Sequence, residues 1–314
     1  MIKRITDVTA SEFRRMGAKE LVESIGLAEG RTVAAEVVCR IPPLVDGVTN
    51  AELAAAMGAD ILIINRYNVD HPVIFGLPSV REESGTESDR ETPFGTGGTI
   101  REVKRLIGRP VGINLEPARN FTEEDHGRLA TPENAQKAVA QGADIIFVTG
   151  TPGTGVTNKA IANATRAIRD RLGDRVFIVS GKAVGSAIAS ETGSNLITSN
   201  DIKAFREAGC DAIALPMPGA SPGWTTEAVR ELVSLVHKQG ALAWLAMIGS
   251  VEGSSIDVIH RIALEAKMTG ADVHEIGEGG FSISIAVPEN IMEYSIALRG
   301  RRHTYRRMSM SLLR

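Results

Sequence analysis

Single ionisable residues interrupt several short apolar runs of the sequence, and their types suit acid–base chemistry. Glu36 lies within VAAEVVC, Glu116 follows VGINL, and His274 lies within VHEI. Lys182 directly follows FIVSG. Carboxyl and imidazole groups transfer protons, whereas a lysine holds an anion or forms a Schiff base with a carbonyl substrate. The predicted catalytic residues are therefore Glu36, Glu116, Lys182 and His274.

Neutral polar residues stand near the ends of these and similar runs, and two glycine-rich segments follow the last two runs. The segments are GSVEGSS over 249–255 and GEGGFS over 277–282. Glycine lets backbone N–H groups approach an anion closely, and a following helix N-terminus favours negative charge. The glycines could instead only form tight turns, but we expect them to bind phosphate. The predicted substrate-binding residues are Asn65, Asn114, Thr149, Thr151, Ser180, Gly249, Ser250, Gly279 and Gly280.

Two further patterns bear on metals and nucleotides. Glu36 and Glu116 could hold a divalent cation such as Mg²⁺ through oxygen ligands, but no ligand spacing in the sequence requires a metal, so this alternative stays open. The segment GTPGTGVT over 150–157 approaches the phosphate-loop pattern, with Val156 in place of the lysine. Because that lysine supplies the charge on the β- and γ-phosphates, nucleotide hydrolysis is not expected.

A repeated unit predicts the elements that position these residues. Four segments combine an alanine-bearing helix, a glycine, Ala or Cys, an aspartate and an apolar strand: AAAMGADILII, AVAQGADIIFV, FREAGCDAIAL and EAKMTGADVHEI. Four other apolar runs alternate with them, which gives eight strands near 33–40, 61–67, 111–116, 145–150, 176–182, 212–217, 242–248 and 273–277. Eight strands alternating with helices predict an α/β fold, a single (β/α)8 TIM barrel, with a doubly wound open sheet as the alternative. In such barrels the C-terminal strand ends form the active site.

The remaining segments are interpreted as additions to one domain over 1–314. Residues 1–30 form an N-terminal helical extension, whose helix over 5–26 closes the barrel floor or makes a subunit contact. Residues 68–98 form a lid insertion after strand 2, and the loop over 117–130 forms a second lid after strand 3. Residues 288–314 form a C-terminal helix with a basic tail, for which a subunit contact in a homo-oligomer or a cationic helix end is favoured over an RNA patch.

Composition limits the classes of partner. The chain has 314 residues, a net charge of −3 and two cysteines. A near-neutral chain lacks the field that draws nucleic-acid backbones, and two cysteines do not make a disulfide framework. The sequence contains no apolar run of about 18 residues and no signal-peptide pattern near its start. We therefore expect a cytoplasmic protein that binds neither nucleic acid nor membranes.

Longer stretches of the sequence resemble known families. The segments AEVVCRIPPLVDGVTNAELAAAMGADILIINRYNVD and VHEIGEGGFSISIAVPENIMEYSIALRGRRHTYRRM look like an uncharacterised bacterial TIM-barrel family, loosely labelled phosphonomutase-like or haloacid-dehalogenase-like. GADILIINRYNVDHPV, VGINLEP and SGKAV are more distantly similar to the BtpA family. The phosphonomutase and isocitrate-lyase group holds magnesium on strand-end aspartates. Asn65, Asn114 and Glu116 stand at the strand ends of this sequence instead, which argues against a true phosphonomutase.

Together these patterns predict an enzyme that acts on a small phosphorylated or otherwise anionic metabolite. The expected chemistry is of the lyase or isomerase type, phosphonomutase-like or aldolase-like, and begins with a proton transfer by Glu36 or Glu116. Two alternatives stay open. One is a non-catalytic assembly or regulatory barrel of the BtpA type, whose mouth side chains would plug. The other is a barrel that binds FMN through the two glycine-rich loops.

Overall fold

The computed structural model describes residues 1–78 and 95–314 and contains a closed barrel of eight parallel strands. Each strand pairs with the next one along the chain, and β8 pairs with β1. The predicted (β/α)8 barrel is confirmed, and the open-sheet alternative is wrong because the two outermost strands are hydrogen-bonded to each other. The strands are β1 Thr32–Val38, β2 Ile61–Asn65, β3 Val111–Leu115, β4 Ile145–Val148, β5 Phe177–Gly181, β6 Ala212–Pro216, β7 Leu242–Met247 and β8 Val273–Ile276.

Helices surround the barrel, and several begin at a threonine cap. Thr49 accepts a hydrogen bond from the N–H of Glu52, and Thr131, directly before Pro132, accepts one from the N–H of Asn134. These side chains satisfy N–H groups that a helix start leaves free. The helices are α1 Ala10–Phe13, α2 Ala18–Gly26, α3 Asn50–Ala56, α4 Ile100–Ile107, α5 Pro132–Ala140, α6 Asn158–Leu172, α7 Ser199–Glu207, α8 Thr226–Lys238, α9 Ile256–Thr269 and α10 Pro288–Met308.

The four repeated segments form the N-terminal rim of the barrel. Their glycines all have positive φ, between 83° and 110°, as a helix end followed by a sharp turn requires. The aspartate that follows accepts a hydrogen bond of 2.8 to 3.0 Å from a backbone N–H near the start of the preceding strand. The pairs are Val33 with Asp60, Val111 with Asp144, Ile178 with Asp211, and Ala243 with Asp272. The sequence repeat is therefore a structural unit of two strands and their helices.

The N-terminal extension closes the barrel floor. Ile5, Leu21 and Ile25 are buried in one cluster with the residues inside the barrel. Within this cluster the Trp244 ring meets Phe147 edge to face, with ring centroids 5.7 Å apart. The segment over 5–26 is not one helix, because it contains a short 3-10 turn followed by α1 and α2. The packing thus supports closure of the barrel floor by the N-terminal extension.

The structure describes most of the segments that were predicted as lids and as a C-terminal helix around the barrel. Of the predicted lid over 68–98, residues 79–94 lie outside the described residues. The second predicted lid contains a 3-10 helix over Glu123–Arg128. In α10, the side chains of Arg299 and Arg307 are buried against Asp60, so these two arginines lock the last helix to the barrel. No helix in the described ranges has both the length and the apolar character of a membrane span.

Candidate functional site

A cavity of about 360 Å³ opens at the C-terminal ends of the strands. This is the end at which barrels of this fold carry their active sites, because the loops that follow the strands meet there. Its walls combine polar side chains and glycine-bearing loops with apolar residues such as Phe147, Ile248 and Ile283. The polar and charged lining residues are Glu36, Asn65, Arg66, Asn114, Arg128, Thr149, Thr151, Ser250, Glu252, Glu275 and Glu278.

Strand alternation decides which predicted residues face this cavity. Successive side chains point to opposite faces of a strand, so one parity of each strand faces the barrel interior. The interior set continues upward from buried apolar residues such as Ala34, Ile63 and Val273. Glu36 and Asn65 follow on the same parity and line the cavity. Seven predicted binding residues and one predicted catalytic residue are thus brought together: Asn65, Asn114, Thr149, Thr151, Gly249, Ser250, Gly279 and Glu36.

A pair of carboxyl groups lies deep in the cavity. Glu36 on β1 is buried, and its carboxyl is within hydrogen-bond reach of the Glu278 carboxyl from the loop after β8. Asn114 Nδ2 donates to Glu36 Oε1 at 2.5 Å, and Asn65 Nδ2 donates to Glu278 Oε1 at 3.1 Å. Burial, followed by the charges of Glu278 and Glu275, raises the pKa of Glu36 well above its usual range. Burial therefore favours the protonated form of the Glu36 carboxyl, which lies beside that of Glu278.

Glu275 is a second buried acid in the same wall. Its Oε2 accepts a hydrogen bond from the indole N–H of Trp244 below it. Burial raises the pKa of Glu275 to about 8, because it outweighs the indole donor, and the charges of Glu278 and Glu252 act in the same direction. Perturbed carboxyls in a cleft mark a candidate for acid–base chemistry.

The glycine-rich loops hold a carboxyl group of the chain itself. Glu252, in a 3-10 helix over Val251–Gly253, is buried, and its Oε1 accepts a hydrogen bond from the N–H of Gly279 at 3.1 Å. A Cβ atom on Gly279 would lie 2.9 Å from this oxygen, so glycine allows the close approach. Burial raises the pKa of Glu252, although backbone N–H groups, including that of Gly249, oppose the rise. The position predicted for a phosphate is therefore occupied in part by a carboxyl group.

Two arginines stand at the rim. Arg128 reaches the cavity from the loop after β3 and lies over the Phe121 ring at 4.5 Å. Its guanidinium also pairs with Glu116 and with Asp125, each at 3.2 Å. Arg66, directly after β2, is exposed and makes no ion pair with any residue in the described ranges. The rim therefore carries positive charge above a floor of carboxyl groups.

Glu116 does not line the cavity. Its Oε2 accepts hydrogen bonds from the N–H and the hydroxyl of Thr151 at 2.9 and 2.8 Å, and its Oε1 faces Arg128. The backbone beyond β3 turns to pair with Leu129, which draws this carboxyl away from the barrel axis. Glu116 thus positions two lining residues and does not meet Glu36 in a shared metal site.

Three other predicted residues point to the outer face of their strands. Because Val179 and Gly181 take the inward positions of β5, Ser180 and Lys182 face outward. Ser180 bonds the Thr165 hydroxyl at 2.7 Å, and Lys182 pairs with Glu191 at 2.5 Å.

His274 faces α10, where its Nδ1 lies 3.0 Å from the Tyr294 hydroxyl. Burial lowers the pKa of His274 to about 4, so it is neutral in the folded chain. Gly280, the last of the predicted phosphate-binding glycines, does not line the cavity; its N–H donates to the carbonyl of Ile285. The structure does not bring Ser180, Lys182, His274 or Gly280 to the site.

The sequence interpretation missed several lining residues as candidates. Glu275 and Glu278 stand beside the selected His274, and the inward parity of Val273 would have favoured Glu275 over its neighbour. Glu252 lies inside the glycine-rich segment over 249–255, whose pattern indicates binding by the glycines and not by a carboxyl group. Arg128 carries no sequence signal, since it reaches the cavity through a loop.

The cavity offers some of the oxygen ligands that a divalent cation requires. Carboxyl and amide oxygens are the ligands that Mg²⁺ prefers, and Asn114 Oδ1 and Glu252 Oε2 are buried in the cavity wall without a hydrogen-bond partner. The types of donor therefore fit a hard cation. Over residues 1–78 and 95–314, however, no three His, Cys, Asp or Glu side chains are arranged to hold one.

Comparisons with known proteins place the chain in a family. A comparison with curated proteins found no match. Among solved structures, a 2,3-dimethylmalate lyase of the PEP mutase/isocitrate lyase superfamily is 16% identical, with 86% of this chain and 81% of that one covered and a TM-score of 0.48. Thiamine phosphate pyrophosphorylase from Pyrococcus furiosus is 13% identical, with 87% and 100% covered and a TM-score of 0.45. Pyruvate carboxylase from Rhizobium etli is 14% identical, with 98% and 29% covered and a TM-score of 0.48.

These identities are too low to carry information on activity, and the BtpA and haloacid-dehalogenase resemblances stay predictions. One family model, in contrast, spans nearly the whole sequence. It matches residues 6–314, and the chain belongs to that family, described as a domain of unknown function, DUF7916.

Proposed function

We propose that the protein is an enzyme of the lyase or isomerase type that transfers a proton to or from a small, anion-bearing metabolite. The observation that carries the proposal is the carboxyl pair of Glu36 and Glu278, each held by an asparagine amide inside a cavity of small-molecule size. Two coupled carboxyls that share one proton supply an acid and a base at the same time. General acid–base catalysis by such groups contributes roughly 10²- to 10⁴-fold to a rate.

The charges of the cavity suggest how the substrate is oriented. Its anionic group would lie at the rim, where Arg66 and Arg128 attract phosphate or carboxylate. Its hydroxyl or carbonyl group would lie below, near Glu36 and Glu278. The reverse orientation would place an anion against four carboxyl groups and is disfavoured. The glycine-rich loops are the second position for the anion, which Glu252 would have to vacate.

A retro-aldol cleavage illustrates the proposed chemistry with all atoms balanced. The ionised member of the carboxyl pair takes the hydroxyl proton of the substrate. The O–H electron pair forms a carbonyl bond while the adjacent C–C bond breaks, and its electrons pass to the anion-bearing fragment. That fragment takes the proton of the other carboxyl group. The pair then exchanges its proton with solvent, and no oxidant or further reactant is required.

A divalent cation is compatible with this proposal. Glu36 and Glu278, with the Asn114 amide oxygen, would hold it, in place of the predicted pair of Glu36 and Glu116. When bound, it would polarise a carbonyl or carboxylate oxygen of the substrate. Because carboxylates that ligate a metal are ionised, the bound cation and the shared proton would be alternative states of the same pair.

The test is proton exchange at carbon, which does not require the natural reaction to be known. A panel of hydroxy acids and phosphorylated hydroxy metabolites is incubated with the protein in D₂O, with and without Mg²⁺. Deuterium incorporation and cleavage are followed by ¹H NMR. At least one compound should exchange, and Glu36→Gln should slow that exchange roughly 10²- to 10⁴-fold.

The matched control is Glu133→Gln, because Glu133 is exposed on α5, away from the cavity. It should exchange at the wild-type rate. Exchange that survives Glu36→Gln and Glu278→Gln unchanged would contradict the role of the pair, and a panel without any exchanging compound would contradict the enzyme proposal.

The alternatives are less well supported by the geometry. A scaffold of the BtpA type predicts a mouth that side chains plug, whereas the mouth of this barrel has an open cavity of about 360 Å³. An FMN phosphate would need the loop N–H groups, one of which, that of Gly279, donates to Glu252. A colourless purified protein would argue against flavin.

A further inference from the structure

Two adjoining cavities lie at the opposite end of the barrel, between α1, α4 and the turns before β3 and β4. One has a volume of about 260 Å³ and the other about 230 Å³. They share Phe13, Lys104, Pro110, Gly142 and Asp144, so they form one groove, which we call the floor groove. None of its lining residues lines the cavity at the mouth, and it is therefore a separate place on the molecule.

One half of the floor groove is strongly basic. Arg14, Arg101, Lys104, Arg105 and Arg109 line it, and Asp144 is its one acidic residue. Lys104 pairs with Asp144 at 2.7 Å, and the four arginines of the groove make no ion pair within the described ranges.

The free guanidinium groups differ in their partners. Arg101 donates to the carbonyl of Ala140, and Arg109 donates to the carbonyls of Ala55, Ala59 and Arg307. The side chains of Arg14 and Arg105 are exposed and make no hydrogen bond or ion pair within the described ranges. Cations near the end of α4 favour the helix dipole, but this does not account for Arg14 and Arg109, which lie outside the helix.

Arg109 is the buried member of the set, with 7% of its surface exposed. Behind it lie Arg299 and Arg307, and the three guanidinium groups face a single carboxylate, that of Asp60. Burial, followed by the charge of Arg307, lowers the pKa of Arg109 to about 9. Buried positive charge in excess of its counter-ions is costly, and an anion in the adjoining groove would offset it.

The other half of the floor groove adds apolar side chains to polar ones. Phe13, Met16, Leu21 and Val139 line it together with Lys104, Asp144 and Arg175, and these four apolar residues define what we call the apolar half. Guanidinium groups match the geometry of phosphate with paired hydrogen bonds, and an apolar wall beside them suits an organic group. We propose that the floor groove binds an organic phosphate, with the phosphate among Arg14, Arg105 and Arg109 and the organic part against Phe13 and Met16. The proposal does not rest on the function assigned to the mouth.

Calorimetric titration of the full chain tests the proposal. The probes are AMP, inorganic phosphate and adenosine, at low salt. AMP should bind at least fivefold more tightly than phosphate, since it also covers the apolar half, and adenosine should show no measurable binding. The double variant Arg14→Gln/Arg105→Gln should weaken AMP binding about tenfold or more, because it removes charge-assisted hydrogen bonds.

Two arginine variants serve as controls. Arg166→Gln removes an exposed charge on α6, and Arg128→Gln removes the rim charge of the mouth; AMP affinity should stay within twofold in both. The proposal is overturned if AMP fails to bind at millimolar concentration, if the double variant binds it as the wild type does, or if Arg128→Gln abolishes binding. Adenosine that binds as tightly as AMP would contradict recognition of the phosphate by the arginines. Inorganic phosphate that binds as tightly as AMP would contradict a contribution of the apolar half to binding.

Discussion

The two ends of the barrel each hold four carboxyl groups, and the two sets differ in their partners. At the floor, each repeated aspartate accepts a backbone N–H and lies next to a basic side chain. Asp60 pairs with Arg299 at 2.5 Å and Arg307 at 2.7 Å. The other three pairs are Asp144 with Lys104, Asp211 with Arg169, and Asp272 with His237.

The mouth is arranged in the opposite way. Glu36, Glu252, Glu275 and Glu278 make no ion pair within the described ranges, and amide or indole N–H groups are their partners. Glu36 and Glu275 have raised pKa values, whereas Arg299 and Arg307 hold that of Asp60 below its usual range. Asp144 is an exception at the floor, because burial raises its pKa despite Lys104. Carboxyls with counter-ions stabilise the fold, and carboxyls without them remain available for proton transfer. If the proposed function is right, the floor serves stability and the mouth serves chemistry, as is usual in this fold.

Removing the charge of Asp60 should have the largest effect on stability. Asp60→Asn leaves the buried Arg299 and Arg307 without their carboxylate, so the free energy of unfolding should fall by about 3–5 kcal/mol. Urea unfolding at pH 7 measures this. The control Asp174→Asn breaks an exposed pair with Lys19 and should leave stability nearly unchanged, because solvent screens such a pair. Equal effects of the two variants would contradict the special place of the floor.

The same carboxyl predicts a loss of stability in acid. Burial raises the pKa of Asp60, but Arg299 and Arg307 outweigh it and hold the pKa below the usual 3.8. A lowered folded pKa means that the stabilisation is present above about pH 3.8 and is lost as the pH falls through the lowered value.

Glu275 at the mouth should show the opposite dependence on pH. Its pKa rises from 4.5 to about 8 on folding, chiefly through burial. The folded chain then binds a proton that the unfolded chain has released, so stability falls as the pH rises from about 4.5 to 8. In Glu275→Gln this part of the decline should vanish. Urea unfolding at pH 5, 6, 7 and 8 measures this decline, with Glu133→Gln as the control. If the stability of Glu275→Gln fell with pH as steeply as that of the wild type, a raised pKa of Glu275 would be excluded.

The sequence predicts the barrel well because the fold repeats a local pattern. Glycine, aspartate and an apolar run recur four times, and each recurrence has a local physical meaning: a helix end, a bond to a strand and a buried strand. The inward residues Glu36, Asn65 and Asn114 follow from strand alternation. Arg128 and the proximity of Glu278 to Glu36 do not, because they depend on how loops fold back over the mouth. Lys182 shows that a reactive residue type alone can suggest a catalytic role for a side chain that strand alternation places on the outer face.

Lys182 should have the smallest effect on turnover. It lies on the outer face of β5, where its ammonium contacts Glu191, the carbonyl of Val156 and Ser186. Lys182→Met should therefore cost about 2 kcal/mol of stability, less than a fully buried pair because Glu191 is partly exposed. Proton exchange at the mouth, measured well below the melting temperature, should stay within threefold of the wild type. A loss of a hundredfold or more with the fold intact would return Lys182 to the catalytic set, and the division between an outer structural layer and an inner chemical one would fail at β5.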